Sequence, residues 1–268
     1  MSPSLAVGEY VKGPSSASRS PCPVVNALAN HGYLERSGRR IYMDDLNASM
    51  SHVGMSRLLG SVFAIPTYFE YHDPAKAYMR KPVGIWQRLW SLLKNPYTFF
   101  DYFGCWNASQ ISDGRKYINL ENLAAHGAIE HDISLSRFDF GQKSLGGNNA
   151  LQTELVHEML EYSEDGKYLT IDDLGSFVKA RIQKQLETNP ELVYGPDEHR
   201  VNCGQIALMM GCFGDGKTIP VSYVRAIFED ERLPFKEGWN KRSWWRSMGL
   251  VEFFGAVKTL VTTVGVNF

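Results

Sequence analysis

A cysteine flanked by prolines, Pro21-Cys22-Pro23, opens the run Val24-Val25-Asn26-Ala27-Leu28-Ala29-Asn30-His31-Gly32-Tyr33. Proline suits the first helical position, because its φ is preset and its missing N–H has no intrahelical partner there. Gly32 supplies the stop. Cys22 is therefore expected at the mouth of a short helix, where unpaired N–H groups and the positive end of the dipole favour thiolate over thiol. Such a sulfur is a ligand or a nucleophile. A buried cysteine in a proline-flanked turn is the other reading that these residues leave open.

The second cluster is Glu130-His131-Asp132-Ile133-Ser134-Leu135-Ser136-Arg137-Phe138-Asp139, two carboxylates, an imidazole and two hydroxyls near its start. Glu130 and Ser134, together with a backbone carbonyl, offer hard oxygen ligands to a cation such as magnesium. Asp132 is expected to orient His131, making its imidazole a positioned acid or base. A surface salt-bridge cluster is the alternative.

Two further motifs carry less. Gly211-Cys212-Phe213-Gly214-Asp215-Gly216-Lys217-Thr218 satisfies the P-loop expression, which makes a nucleotide-binding protein an alternative function. The expression needs a helix opening at the lysine, and Pro220 follows almost at once. Glu161, Ser163, Asp165, Gly166 and Asp172 loosely fit a calcium loop, with Glu at its first position, Asp at its twelfth and no second copy; a solvated turn is expected there.

The elements that must position these residues read as helices. With 44% hydrophobic residues among 268, the chain can bury a sizeable core, and one domain is expected. A helical face runs through Leu46, Met50, Val53 and Leu58, and another through Leu151, Leu155, Met159 and Leu160. Between Pro82 and Pro96, Ile85, Trp86, Leu89, Trp90, Leu92 and Leu93 share a face, as a packed helix or a membrane-surface one. A capping box is expected at Thr170-Ile171-Asp172-Asp173, opening a helix that ends near Asn189-Pro190, and Val201–Met210 and Val221–Phe228 come next. Strand signals are few, so the chain is read as mainly α.

Residues 1–19 are rich in Ser, Pro and Gly and lack the apolar run of a secretory signal; they read as a flexible tail and place the chain inside the cell. A formal charge of -1 gives no case for nucleic acid. Four scattered cysteines make neither a disulfide framework nor a zinc site. The 246–268 segment is apolar. With Trp239, Trp244, Trp245, Phe253 and Phe254 beside Lys236, Lys241, Arg242 and Arg246, the end of the chain fits a peripheral membrane anchor as well as a helix docked on the core.

The Pro-Cys-Pro run with Asn26 and Leu28-Ala29-Asn30-His31-Gly32-Tyr33, followed by Glu-His-Asp-x-Ser-x-Ser-Arg-x-Asp, resembles the fungal haem-thiolate peroxidases, the chloroperoxidases and short unspecific peroxygenases. The likeness extends more weakly through the 146–190 helices and Val201 to Trp239. It implies a single helical haem-binding domain of the chloroperoxidase type over residues 20–245, with Cys22, flanked by Pro21 and Pro23 and followed by Asn26, as the proximal thiolate of a haem b. Such a thiolate pushes electron density onto iron and favours O–O cleavage. It also implies a magnesium or manganese ion near a haem propionate, held by Glu130, Ser134 and the His131 carbonyl, with His131 and Asp132 near the distal pocket.

One departure stands out. The chloroperoxidase branch carries a distal glutamate in a Val-Glu-Ser-Gly run, and the equivalent run here is Val201-Asn202-Cys203-Gly204. An amide cannot take a proton at neutral pH. Ile129 and Gln205 stand where that branch has phenylalanines. The expected function is a haem-thiolate oxidoreductase acting with peroxide or a related oxidant on a small apolar, secondary-metabolite-like substrate, with Asn202 in place of the distal glutamate and His131, Glu198 or His199 as candidate substitutes for its proton transfer. A haem-thiolate dehydratase, isomerase or hydroperoxide-handling enzyme is the alternative within the same fold.

Overall fold

The computed structural model describes residues 5–68, 110–124, 126, 130–145 and 148–266. The helix expected between Pro82 and Pro96, Cys105 and Ile129 lie outside the described residues. The rest is mostly helical around one core: α1 (Pro23–Asn30), β1 (Ile41–Tyr42), α2 (Met43–Ser49), α3 (Arg57–Ala64), β2 (Gln110–Ser112), β3 (Arg115–Ile118), α4 (Thr153–Leu160), β4 (Tyr168–Thr170), α5 (Ile171–Thr188), α6 (Pro196–Phe213), β5 (Thr218–Pro220), α7 (Val221–Phe228) and α8 (Leu250–Thr263). β1, β3 and β2 form a small antiparallel sheet in that order, with Ile41 opposite Ile118. Among the described residues no helix is long and apolar enough to cross a membrane.

Local chemistry sets these boundaries. The stretch through Leu46, Met50, Val53 and Leu58, expected as one helical face, breaks in two. Gly54 adopts φ 86, which ends the 3-10 turn after α2, and the Ser56 side chain accepts from Leu59 N–H to start α3. α5 opens with the expected capping box: Thr170 Oγ1 accepts from Asp173 N–H, and Asp173 accepts from Thr170 N–H. It ends at Thr188, with Asn189 as cap.

The glycine-rich turn after α6 leads into a strand, where a P-loop needs a helix opening at Lys217. Asp215 Oδ1 accepts from Lys217 and Thr218 N–H, β5 begins at Thr218, and α7 starts only at Val221. The nucleotide-binding alternative falls with that geometry. Asp165 turns the chain in the same way, accepting from Lys167 and Tyr168 N–H, and β4 pairs antiparallel with β5, Leu169 opposite Ile219. The two turns share this form, and in each the Asp oxygen is spent on backbone N–H groups, as a solvated turn requires.

Residues 8–20, expected as part of a flexible tail, are pinned along α1. Gly8 N–H donates to His31 O (2.8 Å), Val11 N–H to Asn30 O (2.9 Å) and Ser18 N–H to Ser37 O (2.8 Å). Ser18 and Ser20 are buried. Gly38 lets this segment pass, because a Cβ there would lie 2.0 Å from Ser18 O. Composition signals flexibility only where no neighbour offers partners, and α1 offers several.

Candidate functional site

Cys22 is the N-cap of α1, with Pro23 at the first helical position. Among the described cysteines it keeps an exposed surface, whereas Cys203 and Cys212 are buried and their thiols are pushed up to about 11 and about 12. Protein atoms crowd Cys22 even so: desolvation raises its pKa, opposed by the N–H groups of Val25 and Val24 and by Arg137. The sulfur is thus partly desolvated and still open to a ligand, which is what binding of a metal centre requires.

The turn is held from below. Asn26 Oδ1 accepts from Ser20 N–H (2.8 Å) and Ser20 Oγ (3.2 Å), while its Nδ2 donates to Ser20 O (2.8 Å) and Glu231 Oε1 (2.8 Å). Ser20 Oγ in turn accepts from Cys22 N–H at 3.2 Å. Asn26 therefore acts on Cys22 through Ser20. The same Glu231 oxygen accepts from Arg137 at 2.8 Å, and Asn30 Nδ2 donates to the Glu231 carbonyl at 3.0 Å. Sequence reasoning does not single out Arg137 and Glu231; the Ser-Arg-x-Asp end of the second motif is the available signal.

That motif forms an irregular loop between α1 and α6. Ile133 adopts φ 63, costly for a β-branched residue. Its N–H donates to Asp139 Oδ1 (2.7 Å), and its carbonyl accepts from Asn202 Nδ2. Arg181 of α5, buried, donates to Ser134 O and to Asp139 Oδ1 (2.9 Å). Burial raises the Asp139 pKa and Arg181 opposes it. The surface-cluster reading of this motif fails, since Glu130, His131, Asp132, Arg137 and Asp139 are all buried.

His131 lies buried with Nδ1 2.8 Å from the Asp132 carbonyl and Nε2 2.8 Å from Gln205 Nε2. A carbonyl can only accept and an amide NH2 can only donate, so the ring is the neutral tautomer protonated at Nδ1. Burial lowers its pKa. The Asp132 carboxylate, expected to orient this ring, instead accepts from Phe140 N–H (3.0 Å) and Val193 N–H (2.9 Å). The main chain of Asp132 orients His131. Gln205, one helical turn after Asn202, supplies the other contact; the resemblance marks it as a departure from phenylalanine and does not assign it this partner.

Glu130 Oε2 meets His126 Nδ1 at 2.7 Å, and the His126 ring stacks on Phe140 with centroids 4.4 Å apart. His126, Glu130 and Asp132 bring one ligand atom each within 4.8 Å of one another. Glu130 Oε1 is buried without a hydrogen-bond partner, as is Asn202 Oδ1. An orphaned buried carboxylate oxygen is costly unless a cation completes it, so the donor set fits a divalent ion. Glu198 serves as the helix cap of α6, accepting from Gly195 N–H at 2.8 Å, and His199 Nδ1 lies 3.0 Å from Tyr194 Oη. Glu198 still acts on His131 electrostatically, its charge opposing the burial that lowers that ring's pKa.

Residues 8–244 match the family described as Peroxidase, family 2. The chain is 26% identical to chloroperoxidase of Leptoxyphium fumago, over 96% of this chain and 63% of that one. It is 25% identical to aromatic peroxidase fscJ of Fusarium equiseti, over 91% of this chain and 56% of that one. It is 25% identical to an aromatic peroxygenase of Coprinellus radians, over 81% of this chain and 76% of that one. The chain therefore spans little more than half the length of the first two of these relatives.

Proposed function

The chain belongs to peroxidase family 2, and on that premise we propose that it is a haem-thiolate oxidoreductase of peroxidase or peroxygenase type, acting with peroxide on a small apolar, secondary-metabolite-like molecule. The observation that carries this is Cys22: a crowded yet exposed thiol at a helix N-terminus, facing the N–H groups of Val24 and Val25. A haem b held by such a thiolate supplies peroxide activation when bound. Cys22 would hold its iron. Glu130, with the His131 carbonyl and Ser134, would hold a magnesium or manganese ion beside it, and the orphaned Glu130 Oε1 supports that assignment.

The proton work falls to His131. Its Nδ1–H is fixed on the Asp132 carbonyl, so Nε2 is the basic nitrogen; Gln205 occupies that lone pair in the resting state, and its amide must turn aside before Nε2 takes the peroxide proton and returns it. Gln205 meets both states: its NH2 donates to the neutral ring, and a rotated amide offers Oε1 to the protonated one. Asn202 braces the Ile133 carbonyl and leaves Oδ1 unpartnered. That orphaned oxygen favours a second reading, non-peroxide chemistry on the same scaffold with Asn202 as a polar substrate contact.

The test is spectroscopic and kinetic. Cys22→Ala should lose the P450-like band of the reduced CO complex. His131→Ala should lower peroxide-dependent oxidation by about 10²–10⁴-fold, the usual worth of general acid–base help. A wild type inert to peroxide, with intact haem–thiolate spectra, selects the second reading. Retention of the CO band in Cys22→Ala overturns the proposed ligand.

A further inference from the structure

The end of the chain leaves large apolar surface in water that the fold does not use. Trp244 and Trp245, 82% and 68% exposed, sit on a 3-10 turn with their rings edge to face at 5.7 Å. A few residues later α8 begins, presenting Val251 (91% exposed) and Phe254 (42%) on its outer side. The helix is not loose. Phe253 and Leu260 are buried, Phe253 meets Phe63 edge to face at 5.4 Å, and Val264 packs beside Gly175 of α5. Met248 bridges Met55, which brings exposed Arg57 and Leu58 at the start of α3 alongside. The docked-helix and anchor readings of this segment are therefore compatible, one for each side of α8.

Charge says what covers the outer side. From residue 241 onward the chain carries Lys241, Arg242, Arg246 and Lys258 against Glu252 alone, although its overall formal charge is -1. Both Glu252 oxygens are taken by Arg242, at 2.7 and 2.9 Å. Lys241, Arg246 and Lys258 remain exposed, the first two within three residues of Trp244 and the third, Lys258, one helical turn after Phe254. Paired tryptophans flanked in sequence by exposed cations suit the headgroup level of an anionic bilayer. A second copy seated there would set Lys241 and Arg246 against their own images, which disfavours a dimer.

We propose that this face docks on anionic lipid, with Trp244, Trp245, Val251 and Phe254 entering the interface and Lys241 and Arg246 contacting headgroups. The inference is independent of the haem reading. The chain is sedimented with phosphatidylcholine vesicles, with and without phosphatidylserine, at low and raised salt. It should pellet with the anionic vesicles and release as salt rises. The double variants Trp244→Ser/Trp245→Ser and Lys241→Glu/Arg246→Glu should each lower the partition coefficient by about tenfold or more. All four side chains are exposed, so unchanged circular dichroism verifies folding. A chain that stays in the supernatant with anionic vesicles overturns the proposal, as does an unaltered Trp244→Ser/Trp245→Ser variant. A dimer in light scattering that this variant makes monomeric assigns the face to a second copy instead.

Discussion

The N-terminus of α1 and the Glu130–Asp139 loop meet through Arg137 and Glu231, yet they are built on opposite principles. Around Cys22 the polar side chains are spent: Asn26 uses both its oxygen and its nitrogen, Asn30 Oδ1 accepts from Gly13 N–H (3.1 Å) and Arg19 (2.6 Å), and His31 bridges Gly8 O and Leu233 N–H. The loop leaves buried atoms without partners, Glu130 Oε1, Arg137 Nε, Asp139 Oδ2 and, from α6, Asn202 Oδ1. It also holds Ile133 at positive φ. One side is complete as folded and presents a single sulfur. The other stores unsatisfied polarity and strain, which is costly unless something bound there completes it.

The sharpest way to break this contrast is Arg181→Met. Arg181 ties Ser134 O and Asp139 Oδ1 from α5, and its loss leaves the Asp139 carboxylate buried and unpaired. Removing one partner of a buried pair typically costs about 3–5 kcal/mol. Urea unfolding should show a loss of that size. If the loss is under about 1 kcal/mol, the loop is supported elsewhere and its strain is not held by α5.

A divalent cation tests the incompleteness directly. Magnesium or manganese added to the chain should raise the unfolding temperature, and Glu130→Gln should abolish the effect. A ligand that binds only the folded state stabilises it by about 2.7 kcal/mol at a hundred times its dissociation constant. Calorimetry over a cation series measures this. Equal stabilisation of wild type and Glu130→Gln would move the site away from the orphaned oxygen.

Much of this architecture is legible because it is local. Pro23, Gly32, the Thr170–Asp173 box and the Val221–Phe228 run each define an element through neighbours within a few residues, and the structure places them accordingly. The partners that make the site are distant in sequence. Glu231 reaches Asn26 across 205 positions and Gln205 reaches His131 across 74. No periodicity encodes such a pairing. The pinned 8–20 segment escapes for the same reason, since its partners Asn30, His31 and Ser37 stand later in the chain, at the end of α1 and in the turn beyond it. The resemblance locates the motif residues. It does not say that the Asp132 main chain, rather than its carboxylate, holds His131.

The smallest expected effect separates the two regions by the sign of their pH response. Burial lowers the pKa of His31, behind α1, so the unfolded chain takes a proton that the folded chain refuses. Its contribution is full above the unfolded value of about 6.5 and is lost as pH falls below it. His126, beside Glu130, is shifted upward, chiefly by the hydrogen bond to that carboxylate and against desolvation. Its contribution is full below about 6.5 and is lost as pH rises through the folded value. Water and salt screen this partly exposed ring, so the effect should stay below about 1 kcal/mol. Unfolding free energies of wild type, His31→Gln and His126→Gln between about pH 5.5 and 8 should therefore diverge oppositely, His31→Gln costing most at the alkaline end and His126→Gln at the acid end. Saturating magnesium should flatten the His126 profile alone, because a cation on Glu130 removes the proton's advantage. Parallel profiles for the two variants would mean that His126 is neutral beside Glu130, and the loop would then be no more charged than the α1 side it was contrasted with.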